Sequence, residues 1–130
     1  MQLLPLPVLL PAGIRLHRFV CSDSAAEPVR GDWLQVKSAQ RAILYLHGGG
    51  YAIGSIATHR YLMQGINQAS GARVLGIDYR LAPENPFPAA VEDAVTAYRW
   101  LLAQGLDPQR IAIGGDSAGG GLAIATLVAL

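Results

Sequence analysis

The sequence predicts an α/β fold in which helices flank a mostly parallel sheet that opens with two antiparallel strands. From Ala42 onward, short runs of branched apolar residues alternate with stretches of helical periodicity, and this alternation requires parallel strands with helical crossovers. Before Ala42, two partly alternating runs, residues 14–20 and 32–36, are separated by a loop, which is typical of an antiparallel pair. The chain of 130 residues is long enough for a single domain, residues 1–130, with its own hydrophobic core.

Each element after Ala42 is predicted by its own local pattern. Short apolar runs bounded by loop residues predict buried strands. Apolar residues that recur every three or four positions predict amphipathic helices, and a last stretch that is apolar all round predicts a buried helix. The predicted strands are residues 42–46, 73–78 and 110–113, and the predicted helices lie between Thr58 and Gly71, between Pro88 and Gly105, and over Leu122–Leu130.

The connection between residues 79 and 88 contains three prolines and predicts an irregular loop. Arg80 and Glu84 lie close in sequence within it, so we expect them to pair and to clamp the loop. Three charged residues of the following helix fall off its apolar stripe, and we expect their side chains to be solvated. They are Glu92, Asp93 and Arg99.

The composition excludes several classes of protein. Hydrophobic residues make up 52% of the chain and charged residues 15%, which excludes a disordered chain. A net charge of +1 without a run of basic residues indicates no nucleic-acid partner. The single cysteine, Cys21, cannot form an internal disulfide, which agrees with a reducing compartment and favours a cytoplasmic location.

Residues 1–13 form an apolar lead-in to the first strand. They resemble the hydrophobic part of a signal peptide, but no basic residue precedes them, and Pro5, Pro7 and Pro11 would break a helix. No stretch of the sequence is long enough to span a bilayer without interruption. We therefore expect an extended segment that packs on the body of the domain, and no membrane span.

A glycine-flanked serine follows the last predicted strand. Residues 115–119 read Gly-Asp-Ser-Ala-Gly, so Gly115 and Gly119 lie two residues to either side of Ser117. A serine that projects from a sharp strand-to-helix turn needs small residues there, because strand and helix approach closely. The pattern is typical of a nucleophile elbow with Ser117 as the catalytic residue and Asp116 as part of the supporting motif. A glycine-rich loop without chemistry is the alternative.

A second glycine cluster, Gly48–Gly50, follows His47 at the end of the first predicted parallel strand. Three glycines leave backbone N–H groups uncovered and able to point at an anion. Together with the N–H of Ala118, they predict an oxyanion hole, with a merely flexible loop as the alternative. Neither glycine cluster has the Lys-Ser/Thr ending or the G-x-G-x-x-G spacing of a phosphate-binding loop. We predict no cofactor and no metal.

Three sequence blocks together resemble the hormone-sensitive-lipase-like branch of the α/β-hydrolases. They are H-G-G-G-Y from His47, D-Y-R-L-A-P-E from Asp78 and G-G-D-S-A-G-G from Gly114, and the likeness runs from about Ala42 to the last residue. The resemblance implies a serine esterase that cleaves carboxylic esters.

The resemblance also implies roles for individual residues. Gly49 and Gly50 would be the oxyanion donors on the first loop, and Gly48 would shape its turn. His47 would hold that loop by hydrogen bonds. Helices near the N-terminus usually cap the active site in this family, so residues 1–13 look like a shortened cap, which favours esters of small acyl groups as substrates.

A serine hydroxyl also needs a base and a carboxylate that orients the base. In the resembled fold these follow the serine in the order Asp or Glu, then His. No such residue follows Ser117, and using His17, His47 or His59 as the base would need an unusual topology. His59 falls in the first turn of a predicted helix, where we expect a solvated side chain rather than a general base. The sequence also stops in mid-helix at Leu130.

We therefore expect the chain to be the first part of a hydrolase whose triad Asp and His lie beyond Leu130. Such a chain would be inactive alone and would self-associate through the exposed edge of its last strand. Two alternatives remain open: a non-catalytic relative that binds a small molecule with a dismantled triad, and a fragment without any activity.

Overall fold

Five strands form one mixed sheet at the centre of the computed structural model, which describes residues 14–22, 26–36 and 39–130. The lead-in and shortened cap predicted over residues 1–13 lie outside the described residues. The strands have the spatial order β1-β2-β4-β3-β5. They are β1 (Ile14–Cys21), β2 (Val29–Val36), β3 (Ala42–Leu46), β4 (Arg73–Ile77) and β5 (Ile111–Gly115).

The strand directions confirm the predicted α/β sheet. β2 runs antiparallel to both of its neighbours, β1 and β4, whereas β3 runs parallel to β4 and β5. Three helices connect or follow the parallel strands: α1 (Arg60–Ser70), α2 (Ala89–Ala103) and α3 (Ala118–Ala129). Short 3₁₀ turns precede α1 and β5, at Ala57–His59 and Pro108–Arg110.

Alternation along β3 places hydrophobic side chains on both faces of the sheet. Leu44 and Leu46 point to the face that α2 and α3 cover, in a core that includes Leu101 and Leu122. Intervening side chains of β3 point to the opposite face, where Met63 of α1 covers them. Strands buried on both faces read as continuous apolar runs, which explains why the sequence predicts β3 at its observed bounds.

Two predicted helix starts were wrong. Thr58 does not cap α1; its N–H and that of Ser55 are accepted reciprocally by the two hydroxyl oxygens, at 3.3 and 2.9 Å, and this closes the 3₁₀ turn before α1. α3 begins at Ala118 rather than at Leu122. Helix propensity does not predict this first turn, because the three glycines at 119–121 are poor helix formers.

The predicted pairing of Arg80 with Glu84 is wrong. Arg80 instead reaches across to α2, where its guanidinium lies 3.0 Å from Asp93 Oδ1 and 3.2 Å from Glu92 Oε2. Asp93 also accepts the backbone N–H of Arg80 at 2.7 Å. The prediction that Asp93 is solvated is therefore wrong, because its side chain is only 3% exposed. The guanidinium supplies the partner that a buried carboxylate requires.

β5 lies at the edge of the sheet, as expected, and within the described chain it pairs on one side only, with β3. α3, which follows it, exposes several large apolar side chains: Ile124, Leu127 and Val128, with Leu130 just beyond its last turn. No helix among the described residues has the length and apolar character needed to cross a membrane.

Candidate active site

Ser117 occupies a sharp turn between β5 and α3. Its backbone angles are φ 51° and ψ −118°, outside the regions that side-chain-bearing residues ordinarily adopt. The residue is exposed. α3 begins at the next residue, so the N–H of Ala118 and the positive end of that helix lie beside the serine.

The turn is tight because α3 packs against the end of β3. A Cβ added at Gly119 would overlap the carbonyl oxygen of Leu46, the last residue of β3. Only glycine permits this approach, as the sequence pattern anticipates. The contact brings the serine turn beside the loop that follows β3, which is the glycine loop 47–50.

The glycine loop makes a tight turn at Gly49. Its φ is 132°, and its carbonyl oxygen accepts the N–H groups of Ala52 and Ile53 at 3.1 and 3.0 Å. Within the described part of the chain, the N–H groups of Gly49 and Gly50 have no hydrogen-bond acceptor, whereas that of Gly48 donates to Asp116 at 3.0 Å. Two donors on this loop are therefore available to a ligand.

Asp116 connects the serine turn to the glycine loop. Its Oδ1 accepts both the Gly48 N–H, at 3.0 Å, and the hydroxyl of Tyr45. Its Oδ2 lies 3.4 Å from Nε2 of His59. Partial burial acts to raise the pKa of Asp116, but the hydrogen bonds and the His59 ring outweigh it, and the pKa lies below its usual value. Asp116 is therefore a carboxylate at neutral pH.

The base of the glycine loop rests on buried aromatic residues. His47 is 2% exposed, its ring stacks on Tyr79 with centroids 4.3 Å apart, and its Nδ1 lies 2.8 Å from the Gly48 carbonyl oxygen. The Tyr79 hydroxyl donates to the His47 carbonyl oxygen at 2.6 Å. Burial raises the pKa of Tyr79 to about 12, so this hydroxyl keeps its proton.

None of the three histidines contacts the Ser117 hydroxyl in the described structure. His47 is engaged in its own loop. His59 presents Nε2 to Asp116 and Nδ1 to Thr58 Oγ1, at 2.8 Å. His17 is on β1, four strand spacings from β5, or roughly 19 Å.

The structure brings together all nine predicted site residues. Ser117, Ala118, Asp116, Gly119 and Gly115 lie on the serine turn, and His47, Gly48, Gly49 and Gly50 lie on the loop beside it. The catalytic and oxyanion roles of these residues stay predictions.

Sequence reasoning missed Tyr45 and Tyr79, and it interpreted His59 as a solvated residue, whereas the His59 side chain is 19% exposed. Tyr45 carries one usable signal, because a tyrosine within a buried strand needs a partner for its hydroxyl.

Comparison with known proteins agrees with this arrangement. Residues 43–130 match the family model described as alpha/beta hydrolase fold. The chain is 53% identical over 110 residues to an acetyl-hydrolase of Streptomyces hygroscopicus, covering 85% of this chain and 34% of that protein. It is 49% identical over 89 residues to an ethyl acetate hydrolase of Pseudomonas putida, covering 65% of this chain and 28% of that protein.

The solved structures give the same result. The crystal structure of an esterase from the bacterial hormone-sensitive lipase family superposes with a TM-score of 0.83 at 55% identity, covering 95% of this chain and 40% of that one. The chain thus spans well under half the length of the relatives it matches. The chain belongs to the alpha/beta-hydrolase family, in its hormone-sensitive-lipase-like branch.

Proposed function

We propose that the protein carrying these 130 residues hydrolyses carboxylic esters of small acyl groups through an acyl-enzyme on Ser117. One observation carries the proposal: an exposed serine, held in a strained turn at the start of α3, lies beside a glycine loop with two unengaged N–H groups. A nucleophile and an anion site meet at one end of the sheet, which is what acyl transfer requires.

In the proposed reaction the Ser117 oxygen attacks the ester carbonyl carbon and its proton passes to a base. The carbonyl oxygen becomes an oxyanion, which accepts N–H groups of Gly49, Gly50 and Ala118. The base then protonates the departing alcohol, and water releases the acid from the acyl-enzyme. Loss of one oxyanion donor would cost about 2.7–4 kcal/mol of transition-state stabilisation.

The base is proposed to come from sequence beyond Leu130. The partners of His47 and His59, and the distance of His17 from β5, leave these three histidines without a catalytic position. A carboxylate that orients the base would come from the same part of the protein, following the order Ser, Asp or Glu, His.

The names of the relatives support a small acyl group. One relative is named an acetyl-hydrolase and another an ethyl acetate hydrolase, so both names refer to an acetyl group. We extend this preference to the present protein as a proposal. The cytoplasmic location also stays a proposal, based on the single Cys21 and the prolines near the N-terminus.

The test is hydrolysis of p-nitrophenyl acetate and butyrate, together with covalent labelling by a fluorophosphonate. Two samples are compared, the 130-residue chain alone and the full product of its reading frame, each with a Ser117→Ala control. We expect turnover and labelling in the full product, both abolished in the control, and neither in the chain alone.

Other outcomes would contradict parts of the proposal. Labelling that survives Ser117→Ala would show that Ser117 is not the nucleophile. Turnover by the chain alone would show that the base lies within the 130 residues. A folded full product that binds esters but neither turns over nor labels would support a non-catalytic binding protein.

We further propose that the 130-residue chain self-associates when it is produced alone. The open edge of β5 and the apolar residues exposed on α3 support this. Sedimentation velocity across a tenfold concentration range would show growing species, and a monomer throughout that range would contradict the proposal.

A further inference from the structure

We propose that Asp116 is a positioning residue that sets the spacing between the two halves of the oxyanion hole. The inference rests on the proposed ester hydrolysis and adds a function for a side chain that the reaction itself does not use. It follows from how this one carboxylate joins two loops that are far apart in sequence.

The two sets of oxyanion donors belong to different loops. Gly49 and Gly50 follow β3, and Ala118 begins α3, nearly seventy residues later. Donors must lie about 2.7–3.1 Å from the developing oxyanion, so a small displacement between the loops weakens all of them at once. Some contact has to fix that spacing.

Asp116 makes a side-chain contact between residues that each lie close in the chain to one set of donors. It immediately precedes Ser117 in the chain, and its Oδ1 holds the N–H of Gly48, the residue before Gly49, at 3.0 Å. The Tyr45 hydroxyl, on β3, donates to the same oxygen. One carboxylate oxygen is therefore bound to both the strand and the loop that carry the first half of the site.

The second carboxylate oxygen is also fixed. Oδ2 faces Nε2 of His59 at 3.4 Å, and the other ring nitrogen of His59 is held by Thr58 Oγ1 at 2.8 Å. A carboxylate bound through both oxygens cannot rotate about its Cβ–Cγ bond without losing contacts. A Cβ at Gly48 would overlap Oδ2, which shows how closely the loop packs on this group.

The decisive comparison is between Asp116→Asn and Asp116→Ala in the full product of the reading frame. Asparagine retains an Oδ1 that can accept both the Gly48 N–H and the Tyr45 hydroxyl, whereas alanine retains neither bond. With p-nitrophenyl butyrate, we expect Asp116→Ala to lower kcat by roughly 10²-fold with KM nearly unchanged, because the loss falls on the transition state. Asp116→Asn should recover most of kcat.

Asp93→Ala is the matched control. Asp93 is also a carboxylate that accepts a backbone N–H from a distant loop, but that loop carries Arg80 and not the oxyanion donors. Active-site titration with the fluorophosphonate normalises every rate to folded enzyme. We expect Asp93→Ala to lower the melting temperature while its normalised kcat stays close to the wild-type value.

Two results would overturn the inference: a normalised kcat for Asp116→Ala no lower than that of the control, or a kcat for Asp116→Asn as low as that for Asp116→Ala. If Asp116→Ala does not fold, Tyr45→Phe replaces it. That variant removes one of the two donors to Oδ1, and we expect a several-fold lower kcat at unchanged KM; an unchanged kcat overturns the inference.

A second readout separates this inference from the proposed function. If the wild-type protein hydrolyses no ester, ester hydrolysis is refuted, but amide exchange measured by NMR still tests the position of the loop. We expect the Gly48 amide to exchange at least about tenfold faster in Asp116→Ala and at the wild-type rate in Asp116→Asn. Equal exchange in all three proteins would overturn the positioning role.

Discussion

Asp93 and Asp116 each bind the backbone of another loop, but they do so in different surroundings. Each carboxylate accepts a backbone N–H from a loop distant in sequence, Arg80 in one case and Gly48 in the other. The Asp93 side chain is 3% exposed and is balanced by a guanidinium, whereas the Asp116 side chain is 41% exposed and is held by a hydroxyl, an amide and an imidazole.

The difference predicts that Asp93 stabilises the fold and that Asp116 positions the candidate active site. At Asp93 a full positive charge offsets the burial of the carboxylate, and the pair joins the loop after β4 to α2. At Asp116 the contacts join the serine turn to the glycine loop, which are the two loops of the candidate active site. We expect loss of the first to act on the free energy of unfolding and loss of the second to act on catalysis.

The largest expected effect on stability comes from Asp93→Ala. It leaves the partly buried Arg80 guanidinium with the exposed Glu92 and the Ala89 carbonyl oxygen, at 3.2 and 3.4 Å, and it orphans the Arg80 N–H. Breaking such a pair costs about 3 kcal/mol. Urea denaturation followed by circular dichroism measures it, with Asp93→Asn as the partial replacement. A loss below about 1 kcal/mol would show that this carboxylate does not hold the loop.

Gly119→Ala tests the serine turn while leaving both carboxylates in place. The added Cβ would overlap the Leu46 carbonyl oxygen, so α3 must move away from β3. We expect a loss of about 2 kcal/mol from this overpacking, although alanine in a helix is favoured over glycine by about 1 kcal/mol. Gly121→Ala, a less crowded position on α3, serves as the control, and a stabilised Gly119→Ala would contradict the close approach.

The pH dependence of stability gives the next effect in size. Because the pKa of Asp116 is lowered on folding, its contribution is present in full above the ordinary carboxyl pKa of about 3.9 and is lost as the pH falls through the folded value. The difference in unfolding free energy between wild type and Asp116→Asn should shrink as the pH falls below 4. A difference that widens below pH 4 would contradict the lowered pKa.

Glu92→Gln should have the smallest effect. Glu92 lies 3.2 Å from Arg80, but its side chain is 59% exposed and solvent screens the pair. We expect a change of less than about 0.5 kcal/mol in urea denaturation, and none in high salt. A loss comparable with that of Asp93→Ala would mean that the two carboxylates share the guanidinium equally.

What could be predicted from the sequence was local. β3 has the predicted bounds, β4 differs by one residue, and the serine turn lies where the two flanking glycines indicate. These features depend on the steric requirements of residues that are neighbours in the chain, so short sequence patterns predict them.

What could not be predicted depends on pairing across the fold. Tyr45 and Asp116 are 71 positions apart, and Arg80 prefers a carboxylate 13 positions away over one four positions away. The position of a charged residue along a helix does not predict which loop packs over that residue. Asp93 and His59 were therefore misjudged as solvated for the same reason.

The backbone angle of Ser117 has a consequence on an evolutionary scale. A residue with a side chain at φ 51° costs on the order of 1–3 kcal/mol that glycine would not. In a descendant that no longer needs the hydroxyl, replacement of Ser117 by glycine would relieve this strain and stabilise the fold. The residue at position 117 in a related sequence would therefore indicate whether selection for the serine hydroxyl still operates there.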